Sequence, residues 1–297
     1  MASNSGATPA WPPGLSAAPE QVAHSSRSSF LTAFALLEES RRRGLTAVYA
    51  FCRVVDDSGD DAASPQLARE ALEFWRSELD RSAAGKATTP IGRALNEAIV
   101  SFGVAPQDLR EVIDGVEMDV ARVSYETLTE LERYCRKVAS AVGLACLPVF
   151  GANDPNSREF ADQLGLALQL TNILRDLRQD AEEDRIYVPR SELDRFGVVA
   201  EWLRGHGPIA AYAAGGPVAK LVASLASEAE ARFANAYRSL PATDRRALRP
   251  AVVMGEVYRE LLKRVKHRAG RIDCPGRVRV PRWRKLAILS RVVLLGR

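Results

Sequence analysis

Cysteine is scarce in this 297-residue chain. Four are present, Cys52, Cys135, Cys146 and Cys274, with neither the CxxC spacing nor the histidine neighbour of a zinc site, and they are too few for a disulfide framework. A reduced, cytoplasmic setting is the expectation. The three histidines, His24, His206 and His267, stand singly and mark no site. No uninterrupted apolar run reaches the roughly 18 to 20 residues of a bilayer span, and LAILSRVVLL from Leu286 is short and broken by Arg291. Residues 1–24, rich in Ala, Ser, Gly and Pro, lack the basic start and apolar centre of a secretory signal and read as a disordered tail. Strand-like alternation is scarce, no fixed-period repeat appears, and no glycine-rich dinucleotide turn follows a strand. The basic C-terminus lacks the interleaved aromatics of a base-stacking surface, so nucleic acid is not an expected partner.

What remains is a chain that is 46% apolar, enough for a sizeable core, with a formal net charge of only +4. From Ser28 onward, apolar residues recur at spacings of three and four, and Gly or Pro clusters punctuate them. The breaks fall at SAAGKATTP (82–90), FGVAPQD (102–108), GANDPNS (151–157), after YVPR at Tyr187, RGHGP (204–208), Gly215 and LPATD from Leu240. None is long enough to link domains. The expectation is a single all-α domain over 25–285, followed by a basic and apolar segment, 286–297.

The chemistry is concentrated in two acidic stripes. In AVYAFCRVVDDSGDD, Tyr49, Arg53, Asp56 or Asp57, and Asp60 step by three or four residues along one helical face. Asp56 and Asp60 are a like-charged i,i+4 pair, which by itself weakens a helix by a few tenths of a kcal/mol. A solvated helix end would explain one such cluster. A second lies in LALQLTNILRDLRQDAEEDRIYVP, where Gln169, Asn172, Asp176 and Asp180 repeat the spacing inside an otherwise apolar segment. Buried amides need partners, and carboxylates one and two turns on make an oxygen-lined wall. Such walls suit a hard divalent cation, magnesium above all, bridged to a substrate phosphate.

These two blocks resemble the aspartate-rich signatures of the squalene and phytoene synthases, the head-to-head prenyl synthases. SSF at Ser28, IDGVEMDV at Ile113, RYCRKVASAVGL at Arg133, VYRELLKRV at Val257 and RVRVPRWRKL at Arg277 are similar to further blocks of that family, in order, from about Ser28 to Leu286. The resemblance implies the all-α isoprenoid synthase fold, a single helical domain around a central cavity. It also implies a magnesium-dependent prenyltransferase acting on prenyl diphosphates. In that reading Asp56, Asp57, Asp60, Asp176 and Asp180 hold metal, with Asn172 as a further ligand supported by Gln169. Ser28, Ser29, Tyr49, Arg53, Arg185 and Tyr187 surround the diphosphates, and Tyr134 sits near the carbocation. Phe30, Val142, Leu166 and Leu170 are expected to line the apolar cavity. The chain departs from the family pattern at Gly59, at Gln179, and in Glu183-Asp184-Arg185, where a glycine is common.

Within that resemblance LGLALQLTNILRD, VASAVG and IDGVEMDV favour bacterial presqualene diphosphate synthases, acting on farnesyl diphosphate in squalene and hopanoid precursor synthesis. The alternative is phytoene synthase, condensing two geranylgeranyl diphosphates on the carotenoid route. A relative without activity, serving as an assembly or binding factor, is the reading from another class; both aspartate motifs count against it. NADPH would be needed only if the product were reduced to squalene. Lys and Arg dominate the charge of the segment from Lys263 to Arg297, which ends in an apolar run. Such a segment suits peripheral attachment to the inner face of an anionic membrane. Oligomeric state stays open.

Overall fold

A computed structural model describes residues 11–25, 37–268 and 276–295. Ser28, Ser29, Phe30 and Cys274 lie outside the described residues. The helices are α1 (Pro19–Ser25), α2 (Glu39–Asp60), α3 (Pro65–Ala83), α4 (Pro90–Phe102), α5 (Pro106–Val120) and α6 (Leu128–Cys135). A π-helical turn, Arg136–Ser140, leads into α7 (Ala141–Phe150). Then come α8 (Asn156–Glu182), α9 (Arg190–Phe196), α10 (Ala200–Leu203), α11 (Ile209–Tyr212), α12 (Pro217–Ser239), α13 (Arg249–Arg268) and α14 (Arg282–Leu295). No strand occurs among the described residues.

Local chemistry explains the punctuation. Ser64 and Thr89 cap α3 and α4, their hydroxyls accepting from Leu67 N and Gly92 N, and each is followed by a proline whose fixed φ suits the first helical turn. Gly103 and Gly151, both left-handed, end α4 and α7. Fully buried Glu78 accepts from the Thr88 and Thr89 backbone N–H groups, both at 2.7 Å, and so pins the 82–90 break against α3.

The core is continuous. On one side Phe51 of α2 meets Trp75 of α3 edge-on, with ring centroids 6.0 Å apart. On the other, α12 lies along α8 and buries Leu221, Leu225 and Phe233. The stretch Ile209–Ser239 is apolar enough by length and composition to qualify as a membrane span. It is two helices parted at Gly215 and Gly216, and much of its apolar surface is packed into this core.

Residues 11–25 depart from the expected disordered tail. Val22 and Ala23 of α1 are buried, α1 packs on α2 and α4, and Gly14 lies so close to Val54 that a Cβ there would stand 2.4 Å from its Cγ1. The described part of the expected 286–297 segment, 286–295, is not separate either, since α14 begins at Arg282 and packs on α13 through Ile288 and Val292.

The π-helical turn passes close to two neighbours because both present glycine. A Cβ on Gly165 of α8 would stand 2.5 Å from the Ser140 backbone N and Cα; one on Gly115 of α5 would stand 2.6 Å from Val138 Cγ1. At Gly165 the obstacle is backbone, which cannot rotate aside. Gly165→Ala is therefore expected to destabilise the protein by about 2 kcal/mol, the usual cost of overpacking, read as a lowered urea midpoint at constant m-value.

Candidate active site

Five packed elements enclose a cavity of about 420 Å³: α2, α5, the α6–α7 region with its π-helical turn, α8 and α13. Its depths are apolar, lined by Val112, Val142, Leu147, Phe150, Phe160 and Leu164 among others, and its mouth is charged. Helical periodicity sorts α8 cleanly. Gly165, Leu168, Gln169, Asn172, Asp176 and Asp180 face the cavity, while Leu166 and Leu170 are buried in the core without lining it. The expectation that Leu166 and Leu170 line the cavity is thus corrected: they are packed into the core beside the cavity-facing stripe. Val142 does line it, as expected.

The two acidic stripes open onto this one cavity. From α2 come Tyr49, Arg53, Asp56 and Asp60; from α8 come Gln169, Asn172, Asp176 and Asp180. Asp57 does not line the cavity, because one residue along a helix turns a side chain by about 100°. It pairs with Arg53, which also holds Asp56 at 3.0 Å. Arg185 and Tyr187 reach the cavity from the loop after α8, Arg185 pairing with Asp60 at 2.6 Å. That loop turns at Asp184, whose φ of 59° is one glycine adopts freely and aspartate tolerates better than most residues. The chain thus makes this turn without the glycine common in the family pattern.

Sequence reasoning passes over four participants. Arg175 of α8 and Arg277, ahead of α14, both hold Asp176: Arg175 Nε at 2.9 Å, and Arg277 in a two-pronged pair at 2.8 and 2.6 Å. Tyr258 of α13 lines the same cavity. Asp119 of α5 accepts hydroxyls from Tyr134 at 2.9 Å and Tyr187 at 2.8 Å. Arg277 is obscured because a basic segment reads as a solvated face, even though it opens the RVRV block. Asp119 stands in the IDGVEMDV block, where no second acid at helical spacing marks it out.

Electrostatics separates the carboxylates. Burial, reinforced by Asp60 and Asp57 and opposed by Arg53, lifts the Asp56 carboxyl to about 7. Half of its side chain is still open to solvent at the cavity mouth. Burial together with Asp176 and Glu183 lifts Asp180 to about 7 as well, and Asp180 has no ion-pair partner among the described residues. For Asp176 burial acts in the same direction, but the Arg175 and Arg277 guanidiniums outweigh it and hold the carboxyl below its ordinary value.

The donor set fits a hard cation. Asn172 Oδ1 is buried with no hydrogen-bond partner, while its Nδ2 donates to Gln169 Oε1 at 3.3 Å, which fixes the orientation of the amide. An orphaned carbonyl oxygen one turn from the Asp176 carboxylate calls for a cation or a donor from a ligand. Among the described residues no three acidic, His or Cys side chains converge to cage a metal unaided. Magnesium characteristically uses one or two carboxylates and completes its shell with water and substrate phosphate. Cys52 and Cys146 also line the cavity; burial raises both thiols, so neither is an activated nucleophile.

Comparison with known proteins agrees with the resemblance. The squalene/phytoene synthase family model matches residues 23–284. The presqualene diphosphate synthase of Sinorhizobium fredii is 35% identical over 272 residues, covering 90% of this chain and 94% of that one. The phytoene synthase of Mycobacterium bovis is 34% identical over 247 residues, 83% of this chain and 80% of its own length. The crystal structure of a dehydrosqualene synthase in complex with ligand superposes with a TM-score of 0.80 at 28% identity, covering 94% of this chain and 95% of that one. The fold is the all-α isoprenoid synthase fold.

The raised carboxyls have a consequence for stability. A carboxyl held above its ordinary pKa stabilises the fold fully at pH values below that ordinary value, and loses this contribution as pH rises through its folded value. For Asp56 and Asp180 the window runs from the ordinary value of 3.8 to about 7. In divalent-free buffer the melting temperature should therefore fall between about pH 4 and pH 8. Asp180→Asn should remove part of the fall, melting about 2 °C above wild type at pH 8 by differential scanning calorimetry.

Proposed function

The chain belongs to the squalene/phytoene synthase family and is a prenyltransferase, and we propose that it couples two farnesyl diphosphates head to head, with magnesium, into presqualene diphosphate. The observation that carries the reading is the pair of aspartate stripes on α2 and α8 opening onto one apolar cavity, with the Asn172 carbonyl oxygen of the α8 stripe unpartnered. Asp56, Asp60, Asp176, Asp180 and Asn172 would hold the metal. Bound there, magnesium would offset the charge that builds on a diphosphate leaving group.

The chain's own residues supply the rest. Arg53, Arg175, Arg185 and Arg277 ring the mouth and, with Tyr49, can donate to diphosphate oxygens as the allylic C–O bond breaks. Val112, Val142, Leu147, Phe150, Phe160 and Leu164 keep water from the cation that remains, so that the second substrate's double bond is the nucleophile within reach. No side chain has to attack. The product would leave still carrying one diphosphate, and NADPH would have no part in that reaction.

Farnesyl diphosphate is favoured by the presqualene diphosphate synthases of Sinorhizobium fredii and Rhodopseudomonas palustris, matched over 90% and 83% of this chain. The similarity to the Mycobacterium bovis phytoene synthase supports the second reading, two geranylgeranyl diphosphates giving phytoene. Purified protein given each diphosphate separately with magnesium, with and without NADPH, distinguishes the two by mass spectrometry. Presqualene diphosphate from farnesyl diphosphate is the expected product; phytoene alone, or no coupled product, would overturn the reading. Asp60→Asn and Asp176→Asn should each lower kcat by about 100-fold or more while the far-UV circular dichroism is unchanged.

The same reading gives α14 a place at a lipid surface. Trp283, Leu286 and Leu294 are 65%, 58% and 80% exposed on its outer face, beside Arg282 and Arg284. Substrate and product are both lipids, and apolar side chains set among cations match an anionic bilayer on the inner, cytoplasmic face. Trp283→Ala with Leu286→Ser should lower partitioning onto phosphatidylserine vesicles several-fold, and raised salt should weaken the wild type in the same flotation assay.

A further inference from the structure

Asp119 stands apart from both aspartate stripes. It is the penultimate residue of α5, lines the cavity, and has no ion-pair partner among the described residues. Its two oxygens are divided between two phenols: Oδ1 accepts from Tyr187 and Oδ2 from Tyr134. The rings of Tyr134 and Tyr187 stack with centroids 5.2 Å apart, and Tyr125 closes the group at 5.6 Å from Tyr134. Tyr134, 3% exposed, also lines the cavity, as does Tyr187.

Direction is the informative part of this geometry. An ionised carboxylate only accepts, so both hydroxyl hydrogens are committed to Asp119. What the two phenols can offer the cavity is then their oxygen lone pairs, which attract a cation. A carboxylate that merely needed partners would be satisfied as well by serines. Two phenols at the wall of an apolar cavity, with their lone pairs uncommitted, would suit a positively charged occupant.

We propose that Asp119 is a positioning residue that aims the Tyr134 and Tyr187 oxygens, lone pairs inward, at the carbocation, and receives the Tyr134 proton when that oxygen deprotonates the coupled cation. The relay rests on the coupling reading. A C–H bond of the cationic adduct breaks and its electron pair forms the third carbon–carbon bond of the cyclopropane. The released proton goes to Tyr134 Oη, whose own proton moves to Asp119 Oδ2. One proton is transferred, and nothing is oxidised or reduced. Burial lifts the Asp119 carboxyl to about 6, against the two phenol hydrogen bonds, so it is ionised at neutral pH and more basic than an ordinary aspartate.

Asp119→Asn tests the direction of the hydrogen bonds at constant shape. The amide has one acceptor oxygen and a donor nitrogen, so one phenol must reverse and turn its hydrogen into the cavity. We expect kcat for coupled product to fall about 100-fold with KM within about twofold. The share of released diphosphate accompanied by prenyl alcohol, the water-captured cation, should rise, and Asp119→Glu should recover part of the coupling. Wild-type coupling with Asp119→Asn within about threefold in kcat and unchanged in alcohol share would overturn the proposal. Should Asp119→Asn fail to fold, Tyr134→Phe carries the same test: lower coupling with more alcohol is expected, and no change in either overturns it. Wild-type protein that releases no diphosphate from any prenyl diphosphate refutes the coupling reading itself, and the relay with it.

Discussion

Like charge held against an apolar well is the constraint on which the rest of this structure depends. Asp56 and Asp60 on α2 and Asp176 and Asp180 on α8 meet at one mouth, where burial and neighbouring carboxylates act against the ionisation of Asp56 and Asp180. Guanidiniums from separate parts of the chain counter this: Arg53 within α2, Arg185 from the loop after α8, Arg175 within α8, and Arg277 from the segment ahead of α14. The offset is uneven. Asp176, doubly paired, stays acidic, while Asp56 and Asp180 are lifted to about 7, so the mouth is left short of positive charge. A cation arriving with a diphosphate would meet this shortfall, and the apolar depths would then take in the prenyl chain attached to it.

The fold and the two acidic stripes were legible because they depend on periodicity. Spacings of three and four put Asp56 with Asp60, and Gln169 with Asn172, Asp176 and Asp180, on single faces whatever the tertiary packing. Breaks at proline and glycine were legible for the same local reason. Asp57 shows the limit of a motif read without its helix: it belongs to the acidic cluster, yet its angular position turns it away to Arg53. Leu166 and Leu170 show the converse, since apolar character alone cannot say whether a leucine faces a cavity or a neighbouring helix.

Contacts between distant segments were not legible. Arg277 and Asp176 are 101 positions apart, and only the folded path of the chain brings them together. Asp119 meets Tyr134 and Tyr187 across three separate elements, and nothing in the spacing of those residues announces the cluster. Residues 11–25 misled through composition: Ala, Ser, Gly and Pro suit a loose tail, but Val22, Ala23 and a close approach at Gly14 are enough to seat the segment on α2 and α4.

Arg277 also bears on the order of events. Its guanidinium covers the same two Asp176 oxygens that a metal would need. A bare divalent cation would have to displace a two-pronged ion pair and gain only a few ligands in return. A cation already carried on a diphosphate brings with it a new acceptor for that guanidinium, so the exchange leaves no charge stranded. Were the proposed metal to bind at Asp176, a cation delivered together with a diphosphate would thus displace Arg277 at less cost than a bare one.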